Sequence, residues 1–127
     1  MLRRAIEQEP RVAYALVFGS QARGTAHRLS DVDVAIGFGG GRPLDTLELG
    51  GLIARLESAV GRSVHVVDLD EAPPGLAYRI FRDGRTIVTR DGRALKTRLA
   101  RAVLEYLDFQ PVEAMFAQGV LRAGHGR

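Results

Sequence analysis

Gly19-Ser20-Gln21-Ala22-Arg23-Gly24-Thr25-Ala26-His27-Arg28-Leu29-Ser30-Asp31-Val32-Asp33 is the stretch that decides how this chain folds. A Gly-Ser turn closes one apolar run, Tyr14-Ala15-Leu16-Val17-Phe18, and two aspartates open a second, Val32 to Ile36. Both runs have the length and content of strands. Alternate residues of a strand share a face, so Asp31 and Asp33 point the same way, roughly 6.5 Å apart along it. Two hard oxygen donors side by side suit Mg²⁺, which binds through one or two carboxylates together with substrate phosphates. The turn can offer backbone N–H groups and a hydroxyl to phosphate oxygens. Two solvated aspartates at a strand start are the plainer reading; the Gly-Ser turn upstream favours a metal and triphosphate site.

Working outward, residues 1–9 read as a short helix ended by Pro10, and 12–18 as a buried strand. Gln21-Ala22-Arg23 reads as one helical turn, and 32–38 as the second strand before Gly39-Gly40-Gly41 breaks the pattern. Leu49, Leu52, Ile53, Leu56 and Val60 recur at helical spacing, predicting an amphipathic helix over about 44–60. Gly50 and Gly51 weaken its first half, and Gly61 is its stop. A β-branched strand follows over Ser63–Leu69, and a helix opens at Pro73-Pro74 and ends near Arg82, closed by Gly84. A short strand covers Thr86–Thr89. From Asp91 a longer helix carries Leu95, Leu99, Ala102, Val103, Tyr106 and Leu107 on one face, with Pro111 expected to interrupt it. Residues 119–127 have the composition of a loose tail.

The order of elements predicts an α/β domain, a small mixed sheet flanked by helices. With 127 residues the chain is one domain, expected over 1–118. It has no cysteine, which excludes disulfides and thiolate metal sites. No apolar run reaches membrane-spanning length and no signal core opens the chain, so a cytoplasmic protein without membrane contact is expected. The formal charge of +3 is carried almost wholly by arginine, Lys96 being the sole lysine. That balance fits an anionic ligand but does not call for nucleic acid.

The spacing Gly19-Ser20, ten residues, Asp31-Val32-Asp33 resembles the signature of the DNA polymerase β-like nucleotidyltransferase superfamily. In its form Gly-Ser-x-Ala-Arg-Gly…Ser-Asp-Val-Asp it is similar to the minimal nucleotidyltransferases. Val64–Leu69 with Asp70-Glu71-Ala72-Pro73-Pro74 resembles the family's third strand and its exit, and Arg82–Val88 its last strand. Glu105–Pro111 is similar to the tail of antitoxins paired with HEPN-domain toxins. The resemblance implies the palm-like nucleotidyltransferase fold, ATP as substrate, Mg²⁺ as cofactor and transfer of AMP to a hydroxyl. In the antitoxin branch the acceptor is a tyrosine of a partner HEPN toxin.

On that resemblance Asp31 and Asp33 are the metal ligands and catalytic carboxylates. Gly19 and Ser20 cradle phosphates, Arg23 contacts phosphate, and Ser30 orients the loop before Asp31. The superfamily supplies a third carboxylate from the neighbouring strand; here Val64-His65-Val66-Val67-Asp68-Leu69 puts His65 at that position. Three readings stay open. His65 is a poorer ligand or the base for the acceptor hydroxyl. Alternatively the register differs and Asp68 is the ligand. Or the site is catalytically weak, and the protein neutralises its partner by complex formation alone. His27 lies in the loop between the motif halves, and His125 in the tail. The last helix and Tyr106–Pro111 are where a partner interface is expected.

Overall fold

The computed structural model describes residues 1–19 and 31–118, with side chains over 1–19 and 31–108. The expected turn at Gln21–Arg23 and the expected tail over 119–127 lie outside the described residues. Four strands, β1 (Tyr14–Phe18), β2 (Val32–Gly37), β3 (Val64–Asp68) and β4 (Arg85–Thr89), form one sheet in the order β3-β2-β1-β4. β1 is antiparallel to both β2 and β4, whereas β2 and β3 run parallel. The helices are α1 (Leu2–Glu7), α2 (Thr46–Val60), α3 (Pro74–Asp83) and α4 (Gly92–Gln118), with a 3₁₀ turn at Leu69–Glu71. This is the mixed α/β architecture that the pattern predicts.

Helices cover both faces of the sheet, which is why β1 and β2 read as unbroken apolar runs. On one face Ala15, Val32, Val34, Ile36 and Val64 pack with Ile6 of α1 and with Leu52 and Leu56 of α2. On the other, Tyr14, Leu16 and Ala35 pack with Ala77 and Ile80 of α3 and Ala102 of α4. Strand alternation thus assigns each side chain of β2 to a layer. Val32, Val34 and Ile36 belong to the α1/α2 layer, and Ala35, with its odd-numbered neighbour Asp33, to the α3/α4 side.

α2 shows why two interior glycines do not stop a helix from starting. The Asp45 side chain accepts from the Glu48 backbone N–H at 2.7 Å, and the Glu48 side chain accepts from the Asp45 N–H at 3.0 Å. This reciprocal capping box satisfies two donors that would otherwise be orphaned, offsetting the glycine penalty. Gly61 ends the helix in the left-handed conformation, φ 70°.

One expectation is corrected. α4 is not interrupted at Pro111; it runs unbroken for 27 residues to Gln118. A proline inside a helix removes one i→i−4 hydrogen bond and favours a kink, but the backbone on both sides can remain helical. At 1.5 Å per residue α4 is about 40 Å long, more than twice the span of a five-residue strand. Tyr106 stacks on Tyr78 of α3 with ring centroids 3.9 Å apart, and the turns beyond Tyr106 run on past that stack. Among the described residues no helix is long and apolar enough to cross a membrane.

Arg11, just before β1, holds α2 by a forked pair to Glu48, at 3.2 and 2.7 Å. The Arg11 hydrogen bonds, followed by that from the Asp45 backbone, hold the Glu48 carboxyl down to about 2. A carboxyl whose folded pKa lies below its unfolded value stabilises the fold above the unfolded pKa and loses that contribution as pH falls. Glu48 therefore contributes in full above pH 4.5 and loses its contribution as pH falls toward about 2. Urea unfolding of Glu48→Gln across that window is expected to show a shallower acid loss of stability than the parent chain; identical slopes would show that the pair is inert.

Candidate active site

β1 ends at Gly19, whose φ of 72° lies in the left-handed region. The next described residue, Asp31, is exposed and leads into β2. Phe18 is the cross-strand partner of Asp33, so the exit of β1 and the entry of β2 lie side by side. A Cβ on Gly19 would collide with Oδ2 of Asp33. Glycine is thus required here twice, for its backbone conformation and for the closeness of the carboxylate. The turn and the carboxylate, separated by fourteen positions in the chain, are one local object in space.

In the parallel pairing of β2 with β3, Asp33 stands opposite His65. The His65 Nδ1 lies 3.7 Å from Asp33 Oδ1, an ion pair when the imidazole is protonated. His65 is 76% exposed and Asp33 28%, so the imidazole stands in the open at the rim and the carboxylate sits deeper. Such an exposed pair is screened and contributes little to stability; its interest is positional. Asp68 is elsewhere. It pairs with Ile36, three residues further along β3, and belongs to the other parity. Its Oδ1 accepts from the Asp70 N–H at 2.9 Å, and burial raises its pKa. Of the readings left open by the sequence, the register that puts His65 next to Asp33 is the one the sheet adopts.

Asp31 immediately precedes β2 and Asp33 lies within it, with Val32 between them packed into the α1/α2 layer. Among the described residues no group of three or more His, Cys, Asp or Glu side chains is close enough to enclose a cation. That donor set does not form a protein cage. It does suit Mg²⁺, which retains waters and completes its shell with substrate phosphates around one or two carboxylates. Ser20, Arg23 and Ser30, expected at the nucleotide, and His27 lie outside the described residues.

Sequence reasoning missed a second polar grouping at the other end of the sheet. The Tyr14 hydroxyl hydrogen-bonds to Asp70 Oδ1, and Asp70 Oδ2 accepts from the Phe38 N–H at 2.8 Å. Burial, then the bond to Asp70, pushes the Tyr14 phenol well above its ordinary pKa. The one available signal was a tyrosine at the start of an otherwise apolar strand, a residue that needs a partner for its hydroxyl when buried.

A family model described as polymerase beta, nucleotidyltransferase, matches residues 1–93. Protein adenylyltransferase MntA of Shewanella oneidensis is 32% identical over 78 residues, covering 61% of this chain and 55% of that protein. The match thus spans about half the length of that curated relative. A crystal structure of a toxin–antitoxin with AMP-PNP superposes with a TM-score of 0.77 at 23% identity, covering 95% of this chain and 99% of that one. A chain from the complex of tri-AMPylated Shewanella oneidensis HEPN toxin with MNT antitoxin gives 0.71 at 19% identity, over 94% and 96% of the two chains. At these identities the structural likeness shows the fold.

The contact between Gly19 and Asp33 predicts strong coupling. Gly19→Ala should cost about 1–2 kcal/mol for the left-handed backbone alone, and more for the collision. Pairing it with Asp33→Ala should recover the collision part, giving a non-additive double-mutant cycle in urea unfolding. Strict additivity would show that the glycine does not press on the carboxylate.

Proposed function

The chain belongs to the polymerase β nucleotidyltransferase family, and on that premise we propose that it transfers AMP from ATP to a tyrosine hydroxyl of a partner HEPN toxin, acting as its antitoxin. The observation that carries this reading is the contact of Gly19 with Asp33, which sets a backbone suited to phosphate against a carboxylate suited to a metal. The kinship with a protein adenylyltransferase supports the choice of AMP and of a protein acceptor.

In this reading Asp31 and Asp33 hold Mg²⁺, which when bound neutralises charge on the triphosphate and on the leaving pyrophosphate. Gly19 lets phosphate oxygens approach the main chain, and Ser20 adds its hydroxyl. Arg23 contacts phosphate, and Ser30 orients the loop that delivers Asp31. The acceptor hydroxyl oxygen bonds to the α-phosphorus, the bond to the bridging oxygen breaks, and pyrophosphate leaves. His65 takes the proton of the acceptor hydroxyl on its imidazole, held near the reacting group by its place across from Asp33. The domain extends over 1–118, and the exposed Leu99, Val103, Leu104 and Leu107 of α4 offer the partner an apolar surface.

A second reading is favoured by the same exposed apolar residues together with the histidine in place of a third carboxylate: neutralisation by complex formation, with little or no transfer. The two separate in one experiment. The chain is incubated with α-labelled ATP, Mg²⁺ or Mn²⁺, and the product of the adjacent gene as candidate toxin. Label on a toxin tyrosine is expected, reduced roughly 100-fold or more by Asp31→Asn with Asp33→Asn, and raised by His65→Asp if a carboxylate is the better ligand. No label with either metal, in a mixture where the toxin is still silenced, would establish the binding reading instead.

A further inference from the structure

A cleft of about 680 Å³ lies where β2 and β3 end, far from Asp33. Five residues of β-strand separate Asp33 from Phe38 at its edge, roughly 17 Å. Its walls come from the Phe38–Gly41 segment, the Asp68–Glu71 segment and the first turns of α4, with Tyr14 between them. We propose that this cleft is a binding site for an oxyanion group, phosphate or carboxylate, of a small ligand that the guanidinium of Arg98 recognises.

Arg98 is the reason. It is only 3% exposed, the one charged residue among the buried side chains of the described chain. Its Nε donates to the Leu69 carbonyl at 2.9 Å. Both terminal nitrogens are shut away from solvent and find no hydrogen-bond partner among the described residues. A buried ion left unpaired is strongly unfavourable. Burial lowers the pKa of Arg98, and neighbouring Arg101 lowers it further, yet a guanidinium stays charged in proteins. Glu105 and Asp70 offset this in part through their charge, but neither bonds the terminal nitrogens, which leaves the group suited to an anion.

None of the acidic residues of the cleft hydrogen-bonds the Arg98 terminal nitrogens, and three of the four are engaged elsewhere. Asp70 is taken by the Tyr14 hydroxyl and the Phe38 N–H. Asp68 accepts from the Asp70 N–H, and Asp91 Oδ1 accepts from the Ala94 N–H at 3.1 Å in the first turn of α4. Glu71 is exposed. What remains available is donor-rich. Arg101, exposed at the rim, donates one terminal nitrogen to the Asp70 carbonyl and pairs its Nε with Glu105 at 3.5 Å, which leaves its other terminal nitrogen. The N-terminus of the long helix α4 opens into the cleft with its positive dipole end. Gly39 and Gly40 have φ of 61° and 91°, and nothing lies within 4 Å of where a Cβ of Gly40 would be, so a ligand can approach that backbone closely. A forked guanidinium, a helix N-terminus and open glycine backbone form the donor set that recognises phosphate or carboxylate.

The test uses the Asp31→Asn/Asp33→Asn chain, so that occupancy of the nucleotide site does not intrude. Sodium phosphate, sodium acetate and AMP are titrated separately at constant ionic strength, while NMR follows the Arg98 Nε–H and the amides of Gly39, Gly40 and Gly41. Saturable shifts at these four signals in the millimolar range or below are expected with at least one probe. Saturation by phosphate and AMP but not acetate identifies a phosphorylated ligand; the reverse identifies a carboxylate. Absence of saturable shifts with all three, up to tens of millimolar, would overturn the proposal. Arg98→Met supplies the control: the oxyanion-dependent rise in melting temperature should vanish, and an equal rise in the variant would overturn it too. Should that variant fail to fold, the titration of the chain with Arg98 intact decides alone.

Discussion

Burial of β2 on both faces is the constraint from which the rest of this structure follows. A one-residue slip of a strand sends every side chain to the opposite face, and in β2 it would exchange the residues fitted to one helical layer with those fitted to the other. Val32, Val34 and Ile36 fill the α1/α2 layer while Ala35 faces α3 and α4. That parity leaves Asp33 no choice of side. It emerges at the end of the α3/α4 face, across from His65 and against the backbone of Gly19. The candidate site is thus set by packing in the core rather than by any interaction among its own polar groups, whose one described ion pair is exposed and weak.

The same face separates its polar groups to its two ends. Its middle, with Leu16, Ala35, Ala77 and Ile80, is apolar and tightly filled. Charged groups are expensive there, so they gather where the strands end and either water or a ligand can reach them. At one end stand Asp33 and His65. At the other stand Asp70, locked by Tyr14 and the Phe38 N–H, and the buried Arg98. The first grouping is acidic and open, suited to a cation carrying phosphates. The second sets the buried guanidinium of Arg98 in a cleft whose carboxylates do not bond its terminal nitrogens. Two sites of opposite preference on one sheet face follow from one packed centre.

Particular residues show how far the chain could be read unaided. Leu52, Leu56 and Gly61 marked α2 and its end, because burial at helical spacing and a left-handed cap leave local signatures. The two glycines in its first half are a local weakness that the reciprocal bonds of Asp45 and Glu48 offset. Pro111 looked like a stop; local rules price the lost hydrogen bond, but whether a helix ends depends on the segments flanking it. His65 was legible as the residue in a carboxylate's place, and its neighbour Asp68 as a rival. Only the pairing of Asp33 with His65 separates them.

By itself the sequence determined the mixed α/β class, the turn at Gly19 and the two aspartates twelve and fourteen positions on, because periodicity and short-range spacing are properties of the chain alone; the family came from the resemblance of that motif. Tertiary structure decided which residue of β3 meets Asp33, that a side chain at Gly19 would strike that carboxylate, and that Arg98 is buried with terminal nitrogens that find no hydrogen-bond partner among the described residues. Each of these depends on strand register or on burial, and both are products of the whole core: they arise from contacts between segments far apart in the chain, which no local pattern of residues encodes.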